Sequence, residues 1–191
     1  MLNFLEITRS RLRKRVLSYF FTNIDANLYL REIASILNED PGNLLKELKK
    51  MEREGIFIST LRGNQRYFSL NRRYPLYKEL KSVIFKTIGV AGGLMRIVNE
   101  TKGVEFAFIY GSFAQNKENS SSDIDLFIVG NPDRDKFMEK IDILEHSIKR
   151  EINYNIYSKI EFKNKIKKTE TFVLNLLKRP KIILKGHLDG I

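Results

Sequence analysis

The chain has 191 residues, 42% hydrophobic and 30% charged, and no cysteine, which excludes a disulfide scaffold and a thiolate zinc centre while leaving enough apolar residue for one large core or two small ones. No apolar run approaches the roughly 20 residues of a membrane span, and the opening MLNFLEITRSRLRKR places its apolar stretch before its charges, the reverse of a signal peptide, so a soluble cytoplasmic chain is expected. The net charge of +11 is uneven: residues 1–88 carry 17 basic and 9 acidic side chains, residues 89–191 carry 17 and 14, as expected if the first half meets a polyanion.

Residues 8–21 read as a first helix with Leu12, Val16, Leu17 and Phe20 on one face, and Leu30–Leu37 as a second with Leu30, Ile33, Ala34 and Leu37 inward. Asp40 followed by Pro41 is an N-cap with proline at the first helical position. That opens a third helix to about Glu54, stopped by Gly55, with Leu44, Leu45, Leu48 and Met51 inside. Two β-prone runs, Ile56–Thr60 and Gln65–Leu70, flank the turn Arg62-Gly63-Asn64 and predict a hairpin. Three helices and a hairpin in this order describe a winged helix-turn-helix, assigned to residues 1–73.

On the third helix Lys46, Lys49, Lys50 and Arg53 form a basic stripe beside the apolar face. Asn43 and Lys46 lie in its first turns, where a recognition helix meets base edges, while Lys49 and Lys50 suit phosphates or guanine. Arg62 and Arg66 flank the hairpin tip, placed for a backbone or minor-groove contact, and Arg11, Arg13, Lys14 and Arg15 add charge on the first helix. The expected partner is double-stranded DNA; the alternative is a solvated basic face on a module that docks protein.

Residues 74–100 read as a connector helix interrupted near Gly89 and at Gly92-Gly93. Residues 101–191 then follow a mixed strand-and-helix grammar. Strands are expected at 104–110, Asp123–Val129, 151–157 and Lys181–Leu184. A helix is expected at 133–149, with Phe137, Ile141, Leu144 and Ile148 inward, and helical segments run on to Lys178. The fold class is α+β, the second half a small α/β domain on a mixed sheet.

The chemistry concentrates at Tyr110-Gly111-Ser112 and Asp123-Ile124-Asp125-Leu126. Residues two apart on a strand share a face, so Asp123 and Asp125 converge while Ile124 and Leu126 point into a core. Two neighbouring carboxylates repel and are most easily held together by a cation, and an all-oxygen set favours Mg²⁺ or Mn²⁺. Gly111 allows close backbone approach, Ser112 offers a hydroxyl, and a helix starting there presents N–H groups to phosphate.

Hydrophobic-Gly-Ser, ten intervening residues, then Asp-hydrophobic-Asp-hydrophobic resembles the signature of the DNA polymerase β-like nucleotidyltransferases, its small size resembling their minimal branch. The resemblance covers roughly residues 77–185. It implies that Gly111 and Ser112 hold the triphosphate of an NTP and that Asp123 and Asp125 bind catalytic metal. It also implies a third carboxylate from the neighbouring strand, where this chain has Asn153, which can serve neither as base nor as counter-charge. Glu151, on the same face, is the available substitute; the other reading of it is an exposed strand-end charge.

The stretch LYLREIASILNEDPGNLLKELKKMEREGIFIS resembles the winged helix of small prokaryotic transcription regulators, and NRRYPLYKELK resembles the linker that joins such a module to a minimal nucleotidyltransferase. That resemblance implies a homodimer on two half-sites. The resemblance to minimal nucleotidyltransferases also implies a protein partner, the chain acting as an antitoxin-like component. Two functions follow: a Mg²⁺-dependent nucleotidyltransferase directed by its winged helix to DNA, or a transcription regulator whose transferase fold is a nucleotide sensor or scaffold.

Overall fold

Leu30–Leu37 (α2) buries Ile33, Ala34 and Leu37 at helical spacing, and Pro41–Arg53 (α3) buries Leu44, Leu48 and Met51. In α3 the Asp40 carboxylate accepts from the Asn43 N–H, the cap expected for Asp-Pro. Before them Arg11–Thr22 (α1) buries Val16, Leu17 and Phe20 completely. The computed structural model describes residues 10–119 and 121–187, so the part of the first expected helix at residues 8 and 9 lies outside the described residues.

Strands Phe57–Arg62 (β2) and Gln65–Leu70 (β3) form an antiparallel hairpin with Gly63-Asn64 as its two-residue loop. A two-residue strand, Leu28–Tyr29 (β1), pairs antiparallel with β3 and makes β3 central, in the order β1-β3-β2. Sequence reasoning had no strand there, because two residues carry no period.

The chain divides into two units, Met1–Val90 and Ala91–Ile191. Tyr77–Thr87 (α4) contributes Leu80 and Ile84 to the first unit's core. The helix breaks at Gly89, whose N–H donates to the Ile84 carbonyl at 2.7 Å and where a Cβ would sit 2.9 Å from that oxygen. The second expected interruption is absent: Gly92 and Gly93 lie inside Val90–Glu100 (α5). Gly93 is there for space, since a Cβ would meet Leu144 Cδ1 at 2.8 Å. The stretch Tyr77–Glu100 has the length and composition of a membrane span at mean hydropathy 1.2, but it is broken at Gly89 and 44% buried, and does not indicate a membrane protein.

The second unit carries a four-stranded mixed sheet, Val104–Tyr110 (β4), Ile124–Gly130 (β5), Ile152–Tyr157 (β6) and Ile182–Lys185 (β7), in the order β6-β5-β4-β7. Among the described residues only β5 and β6 pair in parallel. They are joined by Arg134–Ile148 (α7), whose Phe137, Ile141 and Ile148 are buried. Phe137 meets Tyr154 of β6 edge-on at 5.4 Å, so α7 lies on the sheet face of Ile152 and Tyr154. The opposite face carries Phe106, Phe108, Phe127 and Val129, closed over by Phe162 of Lys159–Lys167 (α8) and by Val173 and Leu176 of Thr171–Lys178 (α9). Alternation along β5 puts Asp125 on this second face, two residues beyond the aromatic layer.

Candidate functional site

Strand β4 ends at Tyr110, whose Cα partner across the ladder is Asp125. The backbone turns at Gly111 with φ +70°, a conformation that L side chains resist, and enters a four-residue helix, Gly111–Ala114 (α6). A Cβ on Gly111 would lie 2.1 Å from Asp125 Oδ2, so no larger residue fits without moving the carboxylate. One turn is too short for a substantial helix dipole. What α6 offers a phosphate is its first N–H groups and the half-buried Ser112 hydroxyl.

Asp123 is exposed just before β5 and Asp125 is half-buried at its second residue. Burial, and next the negative charge of Asp123, push the Asp125 carboxyl above the usual aspartate range. In the parallel register Asn153 is the Cα partner of Asp125. Its Nδ2 donates to Asp123 Oδ2 at 3.3 Å, so an amide occupies the place beside the pair. Glu151 is exposed and contributes its backbone carbonyl to the Ile124 N–H at 2.9 Å. Among the described residues no group of three or more His, Cys, Asp or Glu side chains is arranged to hold a metal, so Glu151 does not join Asp123 and Asp125 as a third carboxylate.

Sequence reasoning gave no role to Arg150, to Asn155 or to the Tyr110 hydroxyl. Arg150 is 7% exposed, donates from Nη1 to the Ser122 carbonyl at 2.8 Å, and sets its guanidinium 6.0 Å from the Phe113 ring. It joins the loop before Asp123 to the turn after Gly111. Tyr110 accepts from Asn155 Nδ2 at 3.2 Å, and burial followed by the Asp125 charge keeps its hydroxyl above the ordinary tyrosine range.

In the first unit Asn43, Lys46, Lys49, Lys50, Arg62 and Arg66 are all exposed, on α3 and the hairpin as expected. Lys49 and Arg66 line one open cleft of about 440 Å³ together with Arg31 and Tyr29. Arg62 sits 4.9 Å above the Tyr67 ring, and Arg66 Nη1 donates to Ser59 Oγ at 3.0 Å. The first helix differs from the expectation. Arg13 is 1% exposed and bonded to Glu47 of α3 and to Glu54, its C-cap, and Arg15 is bonded to Glu39 and the Leu37 carbonyl. Arg13 is thus neutralised inside the fold, and the half-buried Arg15 is paired at its surface.

Residues 93–186 match the family model described as polymerase beta, nucleotidyltransferase. Among solved structures, a toxin-antitoxin crystallised with AMP-PNP aligns with 52% of this chain and 76% of its own at 13% identity and a TM-score of 0.39. A candidate nucleotidyltransferase from Sulfolobus solfataricus aligns with 49% of this chain and 73% of its own at 14% identity and a TM-score of 0.27. A search of curated proteins gave no match.

Proposed function

We propose that residues 93–186, a nucleotidyltransferase domain of the polymerase beta type, bind an NTP with Mg²⁺ or Mn²⁺ and transfer its nucleotidyl group to an acceptor. The observation that carries this reading is the approach of Asp125 to the Gly111 backbone, which sets a carboxylate pair directly against the turn suited to phosphate. The donor set fits a divalent cation. Mg²⁺ is commonly held by one or two carboxylates plus phosphate oxygens and water, and a cation there would offset both the burial of Asp125 and the neighbouring charge of Asp123, which raise its carboxyl. Asp123 and Asp125 would hold it, and its chemistry there would be neutralisation of charge on the triphosphate.

Gly111 and Ser112 orient the phosphates through backbone N–H groups and one hydroxyl, so the chain's part is mainly positioning. Arg150 keeps the two halves of the seat in register through Ser122 and Phe113. The test is incorporation of labelled nucleotide with Mg²⁺ across acceptor pools, in wild type and Asp123→Ala. Loss of incorporation in the mutant supports the site, and persistence at the wild-type level refutes it.

A second reading has its own observation. Asn153 stands where a proton acceptor is expected and spends its amide on Asp123. On this reading the domain binds NTP without turnover and acts as a sensor or scaffold in a regulator. Metal-dependent triphosphate binding with no transfer to any acceptor favours it.

For the first unit we propose a winged helix that contacts duplex DNA, with α3 as recognition helix and the β2–β3 hairpin as wing. Support comes from the helix order, the exposed Asn43, Lys46, Lys49 and Lys50, and Arg62 and Arg66 at the hairpin. A homodimer on two half-sites accompanies this reading. Binding to short duplexes is expected to fall with salt, the slope dropping by about 1 in Lys46→Ala. No binding at low salt overturns it.

A further inference from the structure

The second unit has a cleft that shares Gly111 with the phosphate turn and is otherwise built from residues the proposed function does not use. It measures about 150 Å³ and is lined by Tyr110, Gly111, Phe172, Asn175, Leu176 and Arg179. A cleft of that size suits one planar ring system and not a whole nucleotide. It opens beside Gly111, so a ring inside it and a phosphate on the turn are neighbours.

Its walls are chemically mixed in the way a heteroaromatic base requires. Phe172 and Tyr110 meet edge to face, with ring centroids 6.5 Å apart at 78°. Phe172 is 44% exposed, although Val173 and Leu176 on the same short helix are buried, so an aromatic ring faces solvent at the rim. Tyr110 is held in place by the bond from Asn155. Asn175 brings a carboxamide with both a donor and an acceptor, and Arg179 brings a guanidinium with no salt bridge among the described residues.

We infer that this cleft is the subsite that receives the base of the bound nucleotide. Phe172 and Tyr110 provide the ring surface, Asn175 reads the polar edge, and Arg179 pairs with a phosphate oxygen beside Gly111. The inference rests on the reading of Gly111 and Ser112 as the phosphate seat.

The experiment separates base from phosphate. Full-length chain is titrated calorimetrically, in Mg²⁺, with ATP, GTP, CTP, UTP and inorganic tripolyphosphate. Wild type is expected to bind at least one of the four nucleotides about tenfold or more tightly than tripolyphosphate. Phe172→Ala is expected to remove that margin while leaving tripolyphosphate affinity and the thermal midpoint in place. Asn175→Asp is expected to change the ranking of the four bases, and Arg179→Ala to weaken nucleotide and tripolyphosphate together. Equal binding of nucleotides and tripolyphosphate by wild type, or an undiminished margin in Phe172→Ala, overturns the base subsite and leaves the phosphate seat standing. Binding of none of the five overturns both.

Discussion

Gly111 and Asp125 are in contact across the β4–β5 ladder so closely that a single methyl on Gly111 would lie 2.1 Å from the Asp125 carboxylate oxygen. The glycine is required twice, by the φ of +70° and by that carboxylate. Gly111→Ala is expected to cost about 1–3 kcal/mol for the left-handed backbone alone. It also displaces Asp125, so Mg²⁺-dependent triphosphate binding should be lost under conditions where the mutant remains folded. Thermal melting and calorimetry on the same preparation check both halves.

Asp125 opposes folding while it is charged. Burial and then Asp123 raise its carboxyl above the usual range, so the folded state holds a proton to higher pH than the unfolded state. Its destabilising effect is therefore absent at low pH and develops as pH rises from the ordinary aspartate range through the raised value. Asp125→Asn removes that effect at neutral pH. The side chain is only half-buried, so after discounting for solvent screening the gain is at most about 1 kcal/mol, or roughly 2–4 °C in midpoint. With Mg²⁺ the order should reverse, because only wild type gains stability from the ion. A mutant that still gains from Mg²⁺ removes Asp125 from the site.

Much of this site was legible because β-strand alternation is a local rule. Asp123 and Asp125 two apart, with Ile124 and Leu126 fully buried between and beyond them, needed no knowledge of the partner strands. The Asp40-Pro41 cap and Gly55 likewise act within one turn of α3. What was not legible depends on residues distant in sequence. Arg150 follows a helix and reads as a solvated charge until Ser122, 28 positions earlier, comes beside it. Arg13 looked like part of a basic helix face, and only the packing of α1 on α3 takes it out of solvent. The Tyr110–Phe172 cleft joins β4 to α9 and leaves no periodic trace in either segment.

The Arg13 cluster carries its own expectation. Its guanidinium bonds Glu47 and Glu54, the carboxylates lowering the energy of a charge that burial opposes. Removing one member of such a buried set leaves uncompensated charge and typically costs about 3–5 kcal/mol. Arg13→Ala should therefore destabilise the first unit by that order in chemical denaturation. A triple replacement of Arg13, Glu47 and Glu54 by apolar residues of similar volume should recover most of the loss. If Arg13→Ala alone is neutral, the cluster is not what fixes α1 on α3.

Arg150→Met tests whether the seat is held together from behind. The substitution removes a charged donor from the Ser122 carbonyl, worth about 1.5–3 kcal/mol, while keeping an apolar side chain against Phe113. The loop before Asp123 should loosen, so affinity for Mg²⁺ and triphosphate should fall by more than stability alone explains. Arg150→Lys keeps a donor and should restore part of it. Equal affinities in wild type and Arg150→Met, measured well below the melting midpoint, rule the role out.

Asn153→Asp addresses the residue that divides the two functional readings. The wild-type amide donates to Asp123 at 3.3 Å, and its Cα is the register partner of Asp125. A carboxylate there replaces a hydrogen bond by a third negative charge, so without metal the variant should melt below wild type. With Mg²⁺ or Mn²⁺ the same charge becomes a ligand and a proton acceptor, and the midpoint should rise further than in wild type. If the wild-type domain transfers nucleotide weakly for want of a base, labelled incorporation should increase in Asn153→Asp, by up to the roughly 10²–10⁴-fold that a positioned base supplies. If wild type already turns over and the variant is slower, the proton leaves by another route and Asn153 belongs to the working site as it stands.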